Sequence, residues 1–109
     1  MPTTYKVLGQ VNPSATTLTT LYTVPAATQA VVSSITVANL AATTATFRIA
    51  VRVAGSAISN EEYVGYDITV GASDTTVLTL GITMGATDVL SVYASTTTVA
   101  FSAFGSEIS

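Results

Sequence analysis

Apolar and polar residues alternate with a period of two along most of this chain. The clearest stretch is Thr46–Ala54. In an extended backbone Phe47, Ile49, Val51 and Val53 fall on one face, and Arg48, Ala50 and Arg52 fall on the other. This predicts a half-buried β-strand that holds two of the chain's three basic residues on its outer face. The same reading predicts strands at Tyr5–Gln10, Thr19–Val24, Gln29–Asn39, Tyr63–Val70, Thr75–Met84 and Val89–Ser95. A last strand places Val99, Phe101 and Ala103 inward and stops before Gly105 and a tail, Ser106–Ser109. The other inward sets are Tyr66, Ile68 and Val70; Leu78, Leu80, Ile82 and Met84; and Leu90, Val92 and Ala94. Val31 and Val32 are adjacent, so one of them leaves the core face unless the strand is covered on both sides.

The punctuation agrees with the pattern. Pro13 and Pro25 cannot donate to a ladder and end the first two strands. Gly71-Ala72-Ser73-Asp74 and Gly85-Ala86-Thr87-Asp88 are turns of nearly the same chemistry, Gly55 opens a loop running to about Asn60, and Leu40–Thr44 turns without Gly or Pro. No 3.6-residue period persists, so no substantial helix is expected. About eight short, regularly spaced strands predict an all-β antiparallel sandwich or barrel in one domain, residues 1–109.

Composition sharpens this picture. Only 8% of the 109 residues are charged, against 49% hydrophobic, where soluble domains carry about a quarter as Asp, Glu, Lys and Arg. Thr, Ser and Ala fill the shortfall. A surface this poor in charge suits a protein that covers part of itself with neighbours. The net charge of −3, with Lys6, Arg48 and Arg52 forming no basic patch, argues against nucleic acid. Asn39, Arg48 and Arg52 interrupt the most hydrophobic region, so no membrane span is expected. The opening residues lack the apolar segment of a signal peptide, and the expectation is synthesis in a cytoplasm without an encoded export route. There is no cysteine, hence no disulfide framework and no thiolate.

Candidate chemistry is thin. Without His and Cys, no Ser–His–Asp triad or Cys–His pair can be assembled, and a Ser–Lys arrangement would depend on Lys6, near a terminus among polar neighbours. Glu61 and Glu62 are adjacent and point to opposite faces of a strand, so they do not converge on one bond or ion. Asp74 and Asp88 would share a calcium ion only with more oxygen ligands than their loops offer; the plainer reading has each Asp bonding its own turn. Tyr5, Tyr22, Tyr63, Tyr66 and Tyr93 are candidates for a carbohydrate platform or for ordinary half-buried packing. Arg48 and Arg52 suit an anionic ligand, cross-strand ion pairs or contacts with a neighbouring subunit, and they are the candidate intersubunit residues. No catalytic, cofactor-binding or metal residue is assigned, and no enzymatic activity is expected.

Three segments carry a resemblance: Leu21–Pro25 followed by Val31–Asn39, the run Leu78–Ser95, and the ending Phe101–Ile108. With Tyr5–Gln10 they resemble small virion structural proteins of tailed bacteriophages, most closely those of cyanophages and other marine phages. The resemblance implies a compact sandwich of jelly-roll type and an assembly role in the virion, built in the host cytoplasm. It implies a capsid decoration (cement) protein, often trimeric, with the major capsid protein as partner; the alternative is a tail or tail-fibre module that binds a receptor or glycan. One register follows if Thr46–Ala54 and Tyr63–Val70 form a hairpin turning near Ala57-Ile58. Phe47 then faces Ile68, Ile49 faces Tyr66, and Arg48 faces Asp67. The phage resemblance outweighs that charge match, so the two strands are expected in opposite sheets, with Arg48 free for a neighbouring subunit.

Overall fold

The computed structural model describes residues 3–109. Its strands are β1 (Thr3–Val11), β2 (Thr19–Thr23), β3 (Gln29–Asn39), β4 (Ala45–Arg52), β5 (Tyr63–Val70), β6 (Thr75–Met84), β7 (Val89–Ala94) and β8 (Val99–Ile108). Two short 3₁₀ turns, Val53–Gly55 and Asn60–Glu62, lie between β4 and β5. One sheet has the order β1-β8-β3-β6 and the other β2-β7-β4-β5, with every pairing antiparallel.

The orders follow a simple rule. β4 pairs with β5, β3 with β6, β2 with β7 and β1 with β8, so the labels of each pair add to nine. This is one long two-stranded ribbon with the β4–β5 hairpin at its tip. Rolled up, it sets β8 beside β3 and β7 beside β4, and the result is an eight-stranded jelly roll. The all-β sandwich expected from the sequence is therefore present. The expectation that Thr46–Ala54 and Tyr63–Val70 lie in opposite sheets is wrong, because in this topology they form the tip of the ribbon and must share a sheet.

The hairpin register is the one parity predicts near the far end, with Phe47 opposite Ile68 and Thr46 opposite Thr69. Beyond that it slips. Tyr66 and Asp67 together oppose Arg48, Asp67 adopts φ 51°, and Ile49 pairs with Gly65 instead of Tyr66. Two residues against one is a β-bulge, and it turns Tyr66 outward, to 57% exposure, where plain alternation had placed it in the core. Val53 departs as well. Ala54 has φ 53°, the strand ends at Arg52, and Val53 is left 64% exposed in the following turn.

The core lies between the sheets. Phe47 and Phe101, one from each sheet, meet edge to face with ring centroids 5.9 Å apart. Ile35, Ile49, Leu90, Val32, Val37, Val92 and Val99 are fully buried around them. Of the adjacent valines, Val32 is buried and Val31 faces away. Met84 is buried, whereas Leu78 and Ile82 only lean on the core; Leu80, also expected inward, lies outside the residues whose side chains are described. β8 does not stop at Gly105 but continues to Ile108. Gly105 permits this because its neighbour on β3 comes very close: a Cβ there would sit 2.0 Å from the Val31 carbonyl oxygen.

The 40–44 turn has neither Gly nor Pro because Asn39 organises it. Its buried amide donates to the carbonyls of Thr43 (2.7 Å) and Gly71 (3.2 Å). Its Oδ1 accepts from Ala41 N (3.1 Å) and Thr98 Oγ1 (3.2 Å).

Candidate functional site

The arginines of β4 stand on the outer face of the β2-β7-β4-β5 sheet. The ladder places Tyr93 of β7 directly beside Arg48, and the bulge brings both Tyr66 and Asp67 to its other side. The guanidinium lies 4.1 Å from the centre of the Tyr66 ring and 4.2 Å from that of Tyr93. Its Nε donates to Asp67 Oδ1 at 2.7 Å, and this bond is the main cause holding the Arg48 pKa above its ordinary value. Arg48 is thus stacked and paired within its own chain, and not left free as expected. A charge held this way is fixed in direction and is a rigid surface feature. Arg52 is also engaged: its Nε donates to Ser91 Oγ (3.2 Å) and its Nη1 to the Ser56 carbonyl (3.3 Å). Ser91 and Ala50 are outward-facing yet fully buried, because the connection through residues 53–62 folds over this part of the sheet.

The five tyrosines do not form one platform. Tyr5 is 84% exposed on the other sheet, and Tyr22 is buried between the sheets. Tyr66 and Tyr93 flank Arg48 and Tyr63 stands against Tyr66, but Tyr63 and Tyr66 are perpendicular, at 88° with centroids 4.9 Å apart. A shallow depression lined by Asn60, Tyr63 and Tyr66 lies beside them. Two perpendicular rings offer no broad flat surface for successive sugars.

The carboxylates take local roles. Glu62 closes a capping box with Ser59, and Glu61 accepts from Ser59 Oγ at 2.7 Å, which holds its pKa below the ordinary value. Asp88 accepts from Gly85 N and from Ala54 N, both at 2.9 Å, while Asp74 accepts from Thr75 N at 2.8 Å. In each of these turns the residue before the Asp, Ser73 or Thr87, takes a positive φ, and each Asp bonds its own turn as the plainer reading expected, while Asp88 also reaches Ala54 in the β4–β5 connection. Among the described residues no group of three or more His, Cys, Asp or Glu is placed to hold a metal ion.

One polar cluster escaped the sequence. Glu107, read there as part of a tail, points between the sheets, accepts a hydrogen bond from the Tyr22 hydroxyl, and pairs with Lys6 Nζ at 3.0 Å. It ties β1, β8 and β2 at one end of the sandwich. The Tyr22 bond first, then Lys6, lowers the Glu107 pKa from its ordinary 4.5, while burial foremost, and then Glu107, raises that of Tyr22. A carboxylate with a lowered folded pKa stabilises fully above its ordinary value, and the contribution is lost as pH falls through the folded one. Wild-type protein is therefore expected to lose stability to urea as pH drops below 4.5, and Glu107→Gln to flatten that slope. Equal slopes in the two proteins would remove Glu107 from the account.

The remaining surface is the outer face of the β1-β8-β3-β6 sheet. The registers place Tyr5, Val7 and Gln10 of β1, Ala100, Ser102 and Phe104 of β8, Val31, Ser34, Thr36 and Ala38 of β3, and Thr75, Val77 and Thr79 of β6 on it. None of these carries a charge, and Lys6 and Glu107 of the same sheet are turned to the inner side and paired there. Charge on this molecule is concentrated on the other sheet, its loops and the turns. No protein-family model matches the chain, and no curated protein matches it.

Proposed function

We propose that this protein is a non-enzymatic virion structural protein, a decoration protein that binds the assembled capsid lattice of a tailed bacteriophage. The observation supporting this reading is the outer face of the β1-β8-β3-β6 sheet, four strands wide and uncharged at the positions above, with Tyr5, Val7 and Val77 standing out of it. Such a face meets a protein surface without desolvating ions, which is the costly part of covering a polar surface. The partner is the major capsid protein, and the resemblance implies three copies around a lattice three-fold. The mechanism is added interface: a protein that binds the assembled lattice and not its separated subunits makes the lattice harder to open by mass action. The second reading, a tail module with a receptor- or glycan-binding surface, draws on the exposed Tyr66 and the half-buried Tyr63 against it.

Copy number and capsid binding decide between them. Capsids assembled without this protein are expected to take up on the order of hundreds of copies per particle, following capsid symmetry, and then to resist heat better. Tyr5→Lys combined with Val31→Lys is expected to abolish uptake while leaving the fold intact. A small number of copies, in multiples of three or six and located on the tail, would overturn the capsid reading in favour of the second.

A further inference from the structure

The two sheets have four outer strands, and three of them are protected against pairing with another chain. β1 carries Lys6 and a bulge between Val7 and Gly9. β2 is five residues long and irregular between Thr20 and Tyr22. β5 has two irregularities, holds Asp67, and follows Glu61 and Glu62. Charges, bulges and short length are the usual means of blunting an open edge. β6 is ten residues long and contains no charged residue and no proline. Its irregularity lies opposite Val32–Ser34, so Thr75–Thr79 runs in unbroken register with Ser34–Ala38 and keeps its far edge without a ladder partner among the described residues.

That run is nearly symmetric about Val77, which is 60% exposed. Thr75, Val77 and Thr79 face outward, and Thr76 and Leu78 face inward. Two such edges brought together antiparallel about a two-fold axis at Val77 set Val77 against Val77 of the second copy. Thr75 then meets Thr79 in both directions, and Thr76 meets Leu78. β-branched and Thr–Thr cross-strand pairs are favourable, and no like charges are opposed. Pairing β1 with β1, or β5 with β5, would oppose Lys6 or Asp67 on a chain of net charge −3.

We propose that β6 pairs with β6 of a second copy of this chain, antiparallel about Val77, joining two four-stranded sheets into one of eight strands. The interface is isologous and leaves the rest of the uncharged face open toward a lattice.

The chain has no cysteine, so one engineered thiol reports the contact cleanly. Val77→Cys is expected to give a disulfide-linked dimer under mild oxidation at tens of micromolar. Thr83→Cys, on the same strand beyond the symmetric run, is expected to cross-link several-fold more slowly. Sedimentation of the wild type is expected to give twice the 11.1 kDa of one chain, and Val77→Lys to return it to one chain with an unchanged circular dichroism spectrum. Three results would each overturn the proposal: a wild type that stays a single chain at that concentration, a dimer that survives Val77→Lys, or cross-linking of Val77→Cys only when Val7→Cys is also present. The last would mean head-to-tail pairing of β6 with β1. No capsid enters the measurement, so its outcome is separate from that of the decoration reading.

Discussion

Phe47→Ala is expected to cost about 3–5 kcal/mol and to lower the thermal midpoint by roughly 15–30 °C. Phe47 has no solvent exposure, pairs with Ile68 and Ala94 on its two sides, and meets Phe101 across the sandwich. Removing the ring opens a cavity that the backbone ladders on both sides keep from collapsing, so the transfer and cavity costs add. A domain of this size has only about 5–15 kcal/mol in all, and the variant should stand near the edge of folding. Val53→Ala is the matched comparison. Alternation alone places Val53 on the same face as Phe47, but the turn at Ala54 leaves it exposed, and its loss should cost no more than about 0.5 kcal/mol. Urea unfolding of both variants measures the difference. Similar losses would mean that β4 continues through Val53 as the periodicity reads it.

Gly105→Ala is expected to destabilise by at least the roughly 1–3 kcal/mol of an overpacked core, and by more if β3 cannot shift. The added Cβ would stand 2.0 Å from Val31 O and 3.1 Å from Val32 Cα, both backbone atoms of the central strand β3. A flexible side chain could swing aside; a ladder strand cannot without breaking its own pairings. Gly9→Ala should behave alike, since its Cβ would meet Leu21 O at 2.1 Å where β1 of one sheet approaches β2 of the other. Gly81→Ala is the control, with nothing within 4 Å of the added carbon. Midpoints in urea for the three variants test this. A Gly105→Ala protein as stable as Gly81→Ala would place β3 and β8 further apart than described.

The strands were legible wherever alternation ran unbroken between turn residues. Tyr63–Val70 ends where Gly71 puts its end, and Thr75–Met84 runs between Asp74 and Gly85 as those signals place it. The misses have one physical source, which is backbone geometry set by a neighbour distant in sequence. Gly105 reads locally as a stop, and only the approach of Val31 explains why a glycine sits inside a strand. The bulge at Tyr66 and Asp67 adds one residue and flips the faces of Tyr66 and Gly65, and the second irregularity, between Gly65 and Tyr63, returns Tyr63 to the outer face. Asn39 looked like an interruption of an apolar run, and its four bonds to three separate loop segments appear only once those segments are brought together. Charge and parity contain the Arg48–Asp67 pair once the hairpin is granted, but the expectation of opposite sheets set that pair aside, and the two stacked tyrosines depend on the bulge and on β7, neither of which parity contains. The functional reading owes more to resemblance than to chemistry, because the residues able to act chemically are few and are engaged in turns and pairs.

The ribbon also fixes the order in which the molecule can be completed. The β4–β5 hairpin closes over a short connection, and each pair further along the ribbon must close a longer loop, up to β1 with β8, the first strand with the last. The entropy of closure rises with each step. A chain emerging from the ribosome therefore releases β1 first and gives it no ladder partner until Val99–Ile108 has been made. Until then Tyr5 and Val7 are held by no sheet, and the strand that bears the most exposed tyrosine is the last of the eight that any register can fix.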